Sequence, residues 1–171
     1  MDAWLAGVLV GDGTRNYGKN KAYAVWIDQH KRNKVVLDNV QQKLNSANFK
    51  TYRYDVPAEK SRVLTYSKSL FLEFEEIMKD AAKFFSTLST KEKKDFVAGF
   101  FDAEGTATDR FVIYNSNKEL LQAIQEFLQK IGIPNYIYRF GKIHGLQIYR
   151  KNHMQIFLKE IKAIRLSRRT G

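Results

Sequence analysis

Two carboxylates stand at matched places in this chain. Asp12 closes the segment WLAGVLVGDG at 4–13, Glu104 closes FVAGFFDAEG at 96–105, and the two segments align without a gap. Each reads as an apolar helix stopped by a glycine, Gly13 or Gly105. An acid at a helix C-terminus meets the negative end of the helix dipole, which is unfavourable for an isolated residue. A single such acid reads most simply as a surface helix end. A matched pair reads differently: if the helices pack side by side, both acids reach a shared axis, where like charges need a proton or a cation between them. Hard divalent ions prefer such oxygen ligands, and a pair of Mg²⁺ ions would activate a water and stabilise the leaving 3′ oxygen of a phosphodiester.

The same segments contain the means of bringing the acids together. Gly7 and Gly11 in the first, and Gly99 and Ala103 in the second, lie four residues apart and so share a helix face. Glycine inside a helix costs about 1 kcal/mol relative to alanine. Its repeated use is accounted for if a face without side chains lets two helix backbones approach closely.

The stretches after the two segments repeat as well. VVLDNVQQKL at 35–44 answers ELLQAIQEFL at 119–128, with Leu37, Val40 and Leu44 matching Leu121, Ile124 and Leu128 at helical spacing. The offset there is 84 residues, against 92 at the acids, which places an insertion in the first half, in the polar stretch RNYGKNK at 15–21, read as a long hairpin tip. Alternating strands come next, KTYRYDV at 50–56 answering NYIYRFG at 135–141, and RVLTYSK at 62–68 answering GLQIYRK at 145–151. Apolar helices at 69–80 and 152–164 close the two halves. The expected fold class is α+β: two pseudo-symmetric halves, each α-β-β-α-β-β-α, over 1–87 and 96–171, joined by the charged linker LSTKEKKD at 88–95, with Ser89 as a candidate N-cap for the second motif helix. A repeat of this length suggests a fused dimer, so one chain should function as a monomer.

Composition narrows the partner. Across 171 residues, Lys and Arg outnumber Asp and Glu by 29 to 18, for a formal net charge of +11, and the excess is spread along the chain; the natural partner is a polyanion, nucleic acid first. With no cysteine, thiolate metal sites, disulfides and thiol nucleophiles are excluded. No stretch is apolar enough to span a membrane, and the N-terminus lacks the basic region of a secretion signal. The expectation is a soluble cytoplasmic protein, nucleoid-associated in a prokaryote, neither secreted nor membrane-bound.

LAGVLVGDG at 5–13 and VAGFFDAEG at 97–105 resemble the LAGLIDADG motif in their small residues, acid and terminal glycine, and the repeat after each copy looks like the half-unit of LAGLIDADG homing endonucleases. The resemblance covers nearly the whole chain and is closest to two-motif, archaeal-type enzymes encoded in introns or inteins. It implies a site-specific endonuclease that binds a long asymmetric double-stranded DNA site and cuts both strands across the minor groove, leaving short 3′ overhangs. It further implies that Asp12 and Glu104 ligate two or more Mg²⁺ ions with help from the backbone carbonyls of Gly11 and Ala103, that Mn²⁺ substitutes, and that Ca²⁺ binds without supporting cleavage. IDQHK at 27–31 and YNSNK at 114–118 correspond to positions that order water around the metals, which nominates Gln29 and Asn115. Asn115 also fits a helix N-cap. The lysine expected nearby is missing: His30 stands beside Gln29, and no lysine lies between Glu104 and Asn115, which leaves Lys31 or Arg110 as substitutes. The alternative within the same fold is a maturase that binds intron RNA, or a protein that binds nucleic acid without cutting, neither of which needs the acid pair. A basic transcription regulator would need a helix-turn-helix pattern, and none is apparent.

The resemblance implies a saddle of antiparallel sheets along the DNA major groove, where outward side chains reach base edges. Alternation in 145–149 buries Leu146 and Ile148 and exposes Gln147 and Tyr149; by the repeat, Arg62 and Tyr66 are exposed, and Arg110 and Tyr114 share a face opposite Phe111 and Ile113. Arg15, Lys19, Lys21, Arg53 and Arg139 complete the candidate set, with the facing of TYRYDV and AYAVWIDQ left open by their partly apolar parities. The basic tail IRLSRRTG at 164–171 is assigned no role.

Overall fold

The computed structural model describes residues 1–169. Asp2 accepts a hydrogen bond from the Leu5 amide at 2.9 Å and starts helix α1 (Ala3–Asp12), which ends where Gly13 turns extended. The chain then forms the hairpin β1 (Gly13–Tyr17) and β2 (Tyr23–His30), a single 3-10 turn at Lys31–Asn33, helix α2 (Lys34–Ser46), the hairpin β3 (Thr51–Val56) and β4 (Lys60–Tyr66), and helix α3 (Lys68–Lys79). A short helix, α4 (Ala81–Thr87), joins the halves. The second half repeats the first with α5 (Thr90–Glu104), β5 (Gly105–Ala107), β6 (Phe111–Asn115), α6 (Lys118–Lys130), β7 (Tyr136–Phe140), β8 (Ile143–Ile148) and α7 (Lys151–Glu160). Each half builds one antiparallel four-stranded sheet, ordered β1-β2-β4-β3 and β5-β6-β8-β7.

Directly opposed residues on paired strands share a face, so register assigns the faces that sequence left open. Val25 and Ile27 oppose Thr65 and Val63, all buried against the helices, while Trp26 and Asp28 oppose Leu64 and Arg62 on the outer face. In the second sheet Phe111, Ile113, Leu146 and Ile148 face the helices and Val112, Tyr114, Gly145 and Gln147 face outward.

Helices α1 and α5 form the seam between the halves. Every residue of α1 from Ala3 to Val10 is buried, because the helix is covered by its partner helix as well as by its own half. The contact is as close as the small residues imply: a Cβ on Gly7 would lie 2.1 Å from the Phe96 carbonyl oxygen, and one on Gly99 would lie 1.9 Å from that of Trp4.

Three expectations change. The linker placed at 88–95 is mostly helix, since Ser89 caps α5 in a reciprocal box with Glu92 and the helix begins at Thr90. The connection is instead made by α4, which docks Phe85 against Phe96 and Phe127. The insertion is divided: Gly13 opposes Ile27 whereas Gly105 opposes Ile113, which lengthens the first hairpin, and the 3-10 turn Lys31–Asn33 takes up the rest. The basic tail, as far as Arg169, forms a 3-10 segment at Ile164–Arg169 that packs on α2 and α5; its last two residues lie outside the described ones.

Candidate active site

The two motif helices run side by side to a common end, and there the acids meet. A Cβ on Gly11 would lie 2.5 Å from the Ala103 Cβ and 3.0 Å from the Glu104 Cγ, so the residues preceding both acids are in contact at the seam. Each acid is held by a side-chain amide from the second strand of its own half. Gln29 Nε2 donates to Asp12 Oδ2, and Asn115 Nδ2 donates to Glu104 Oε1 at 3.2 Å. Each amide is itself oriented by the residue before the next helix: Asn33 Nδ2 donates to Gln29 Oε1, and the Asn117 backbone amide donates to Asn115 Oδ1, both at 2.9 Å. Asn115 is therefore the end of β6, and the helix cap is Asn117, whose side chain accepts from the Leu120 amide at 2.9 Å.

Burial raises the Asp12 carboxyl to about 6, against smaller opposing pulls from Arg165 and Lys60. Burial, reinforced by the charge of Asp12, raises Glu104 to about 7. Among the described residues neither acid has an ion-pair partner, and no group of three or more acids and histidines surrounds them. Two oxygen-donor carboxylates, desolvated and mutually repelling, fit one or more hard divalent cations whose remaining positions go to water, backbone carbonyls or substrate oxygens.

The basic residues named for support stand elsewhere. Lys31 pairs with Asp55 at 2.9 Å, and Arg110 forks onto its neighbour Asp109, with Nη2 at 2.8 Å from Oδ2, at the tip of the second hairpin. Of the proposed DNA readers, Arg62 lies on the outer face, forked onto Asp28 at 2.7 and 2.8 Å and stacked over Trp26 at 4.9 Å. Tyr66 and Tyr149 are half exposed, and Lys19 and Lys21 project from the first hairpin tip. Tyr114 accepts from the Tyr138 hydroxyl at 3.1 Å.

Four candidates are corrected. Arg15 opposes Val25 and so faces the helices, over Phe74 and 3.8 Å from Glu75. Arg53 opposes Val63 and pairs with Asp38 of α2. Arg139 shares its face with the core-packed Ile137 and donates to the Gly141 carbonyl at 3.1 Å. Gln147 does lie on the outer face, but it is only 5% exposed because Val112 and Tyr136 flank it. What sequence reasoning missed is an outer face rich in aromatics: Tyr52 packs edge-on to Tyr66, and Tyr136 packs in the same way on Tyr149, at 6.1 and 6.2 Å. The repeated tyrosines were visible as strand residues, and their common facing comes only from register.

Asp102 was also missed. It is fully buried and accepts from Trp4 Nε1 at 2.9 Å and from the Ile164 and Arg165 amides at 2.9 and 2.8 Å. Its counterpart in the first motif is Val10, so an acid replacing an apolar residue between aligned copies was the available signal.

Comparison with known proteins agrees with this geometry. Residues 91–162 match the model of the LAGLIDADG-like domain. The chain is 26% identical over 157 residues to the homing endonuclease I-DmoI of Desulfurococcus mucosus, covering 86% of this chain and 79% of that protein. Among solved structures it superposes on I-DmoI bound to DNA and Mn with a TM-score of 0.75 and 23% identity over 94% of each chain. The N-terminal LAGLIDADG domain of DUF199/WhiA has the same fold, with a TM-score of 0.67 and 15% identity over 93% of this chain and 80% of that one.

Proposed function

We propose that this chain, which matches a LAGLIDADG-like domain over residues 91–162 and is similar to a homing endonuclease over most of its length, is a two-motif LAGLIDADG protein and a site-specific DNA endonuclease that hydrolyses phosphodiester bonds in both strands of a long asymmetric duplex. The observation that carries this is the meeting of Asp12 and Glu104 at one partly buried point, each held by an amide and neither in an ion pair among the described residues. A protein that only binds nucleic acid, whether intron RNA or DNA, has no use for this pair.

Asp12 and Glu104 would hold divalent ions, with Mg²⁺ the ion best suited to oxygen donors, Mn²⁺ a substitute, and Ca²⁺ a non-productive ligand; I-DmoI has been solved with DNA and each of Mn and Ca, and a variant of it with Mg. When bound, such ions supply Lewis acidity and a water of lowered pKa. Gln29 and Asn115 fix the orientation of the two carboxylates, and their own orientation is set by Asn33 and Asn117. The outer faces of the two sheets present Arg62, Tyr66, Tyr114 and Tyr149 to DNA, with Lys19, Lys21 and Arg110 at the hairpin tips. One chain carries both acids, so the active species is a monomer working in the cytoplasm, and homing of an intron or intein is the role this activity serves.

The test is cleavage of a randomised duplex library with Mg²⁺ by the wild type and by Asp12→Asn and Glu104→Gln, with binding assayed in parallel. The expected result is a discrete cut site, bound but uncut by both variants. A wild type that binds without cutting, or prefers structured RNA, overturns the proposal in favour of a maturase.

A further inference from the structure

With Lys31 and Arg110 tied elsewhere, the acid pair still has cations on one side. Asp102 fastens the 3-10 segment Ile164–Arg169 to α5 through the Ile164 and Arg165 amides, and its own backbone carbonyl accepts from Arg165 Nη1 at 3.2 Å. The Arg165 guanidinium is thereby fixed two residues before Glu104. It lines a largely polar cavity of about 200 Å³ together with Arg32, Asn33, Phe101 and Ala107. Asn33 connects that cavity to Asp12 through Gln29.

The cavity holds an electrostatic imbalance. Among the described residues neither guanidinium forms an ion pair with a carboxylate. Burial and the nearby Arg32 both disfavour the charge on Arg165, while Asp102 and Asp12 favour it. Two like charges facing one cavity are stabilised by an anion between them, and guanidinium forks match phosphate oxygens in geometry. The arrangement has no twin in the other half: in the link between β6 and α6, Ser116 precedes Asn117 where Arg32 precedes Asn33, so no guanidinium stands there.

We propose that the cavity between Arg32 and Arg165 binds a backbone phosphate of the strand cut on the Asp12 side, a basic support separate from the charge of Lys60 that also acts on Asp12. This rests on the endonuclease reading. It makes the two strands unequal, since one phosphate is gripped by arginines and its pseudo-symmetric mate is not.

The experiment uses the full-length protein and its Arg32→Met, Arg165→Met and Arg165→Lys variants with two readouts. The first is the salt dependence of duplex binding without divalent ions: losing one phosphate contact lowers the slope of log K against log salt by about 0.9. The second is cleavage of a supercoiled plasmid carrying the selected site, where nicked circles should accumulate with Arg32→Met and Arg165→Met and less so with Arg165→Lys. Arg32 is exposed and its side chain makes no hydrogen bond among the described residues, so its variant remains informative even if Arg165→Met loosens the tail. Unchanged salt slopes in both methionine variants overturn the phosphate site. Equal slowing of both strands overturns its one-sidedness. A wild type that never cuts tells against the endonuclease reading instead, while the salt slopes still test the phosphate contact.

Discussion

Protons and metal ions should compete for the acid pair, and the structure sets how strongly. With Asp12 at about 6 and Glu104 at about 7, the fraction of molecules with both acids ionised is about 0.9 at pH 8 and about 0.05 at pH 6. Apparent affinity for Mg²⁺ or Ca²⁺ should therefore fall about 20-fold between those pH values, and more steeply below pH 6, where both acids are titrating. The same shifts act on stability with a definite sign. Both carboxyls are raised on folding, so the native state holds more protons than the unfolded chain. Their stabilising contribution is complete below about pH 4 and is lost as pH rises through about 7. For Asp12 alone, moved from 3.8 to about 6, the swing is on the order of 2 to 3 kcal/mol. Calorimetric titration with Ca²⁺ between pH 6 and 8, and thermal melts of metal-free protein between pH 5 and 8, measure the two effects. Metal-free protein should melt at a lower temperature at pH 8 than at pH 5, saturating Ca²⁺ should remove the difference, and the Asp12→Asn, Glu104→Gln double variant should lack it. Metal affinity independent of pH over this range, or apo stability rising with pH, would refute the reasoning.

Other outcomes rest on individual contacts. Gly99→Ala drives a Cβ to 1.9 Å from a backbone oxygen that cannot rotate away; α1 and α5 must separate, at a cost of about 3 kcal/mol or more, read as a large fall in the denaturation midpoint together with weaker metal binding. Asp102→Ala leaves the Trp4 indole and two amides without their acceptor; a loss of about 3 kcal/mol, with faster proteolysis at the tail, is expected, and a change within about 0.5 kcal/mol would contradict the anchoring role. Arg62→Gln removes a fork from the outer face but leaves Asp28 partly exposed; duplex affinity should fall with little change in melting temperature, measurable by fluorescence anisotropy. Ser89→Ala breaks the capping box of α5 and should cost about 1 kcal/mol without changing the cleavage pattern.

The parts of this molecule legible in its sequence are those that occur twice. Gly7 and Gly99, and Asp12 and Glu104, each gained meaning from their partner, Gln29 and Asn115 were named by the resemblance, and the structure brings each pair to equivalent places. Charge was a poor guide to facing. Arg15, Arg53 and Arg139 looked like DNA contacts, yet each sits on the helix side of its sheet, because a long side chain can lie over a core residue and reach a partner at the rim. In TYRYDV both parities mix polar and apolar residues, so only the pairing of Arg53 with Val63, and of Tyr52 with Leu64, settles which side is which.

Sequence shows where the repeats disagree but not what the disagreements do, and an asymmetric site must be read there. The two halves share the acid, the amide and the asparagine behind it, so these cannot tell one strand from the other. The differences are Asp102 against Val10, the longer first hairpin, the Lys31–Asn33 turn and the tail that Asp102 holds down. None carries a recognisable motif, and Asp102, the tail and the Lys31–Asn33 turn meet across the seam between halves. Aligning the repeats locates shared chemistry by agreement; here the disagreements, Asp102 foremost, mark the side of the acid pair to which Arg165 is brought.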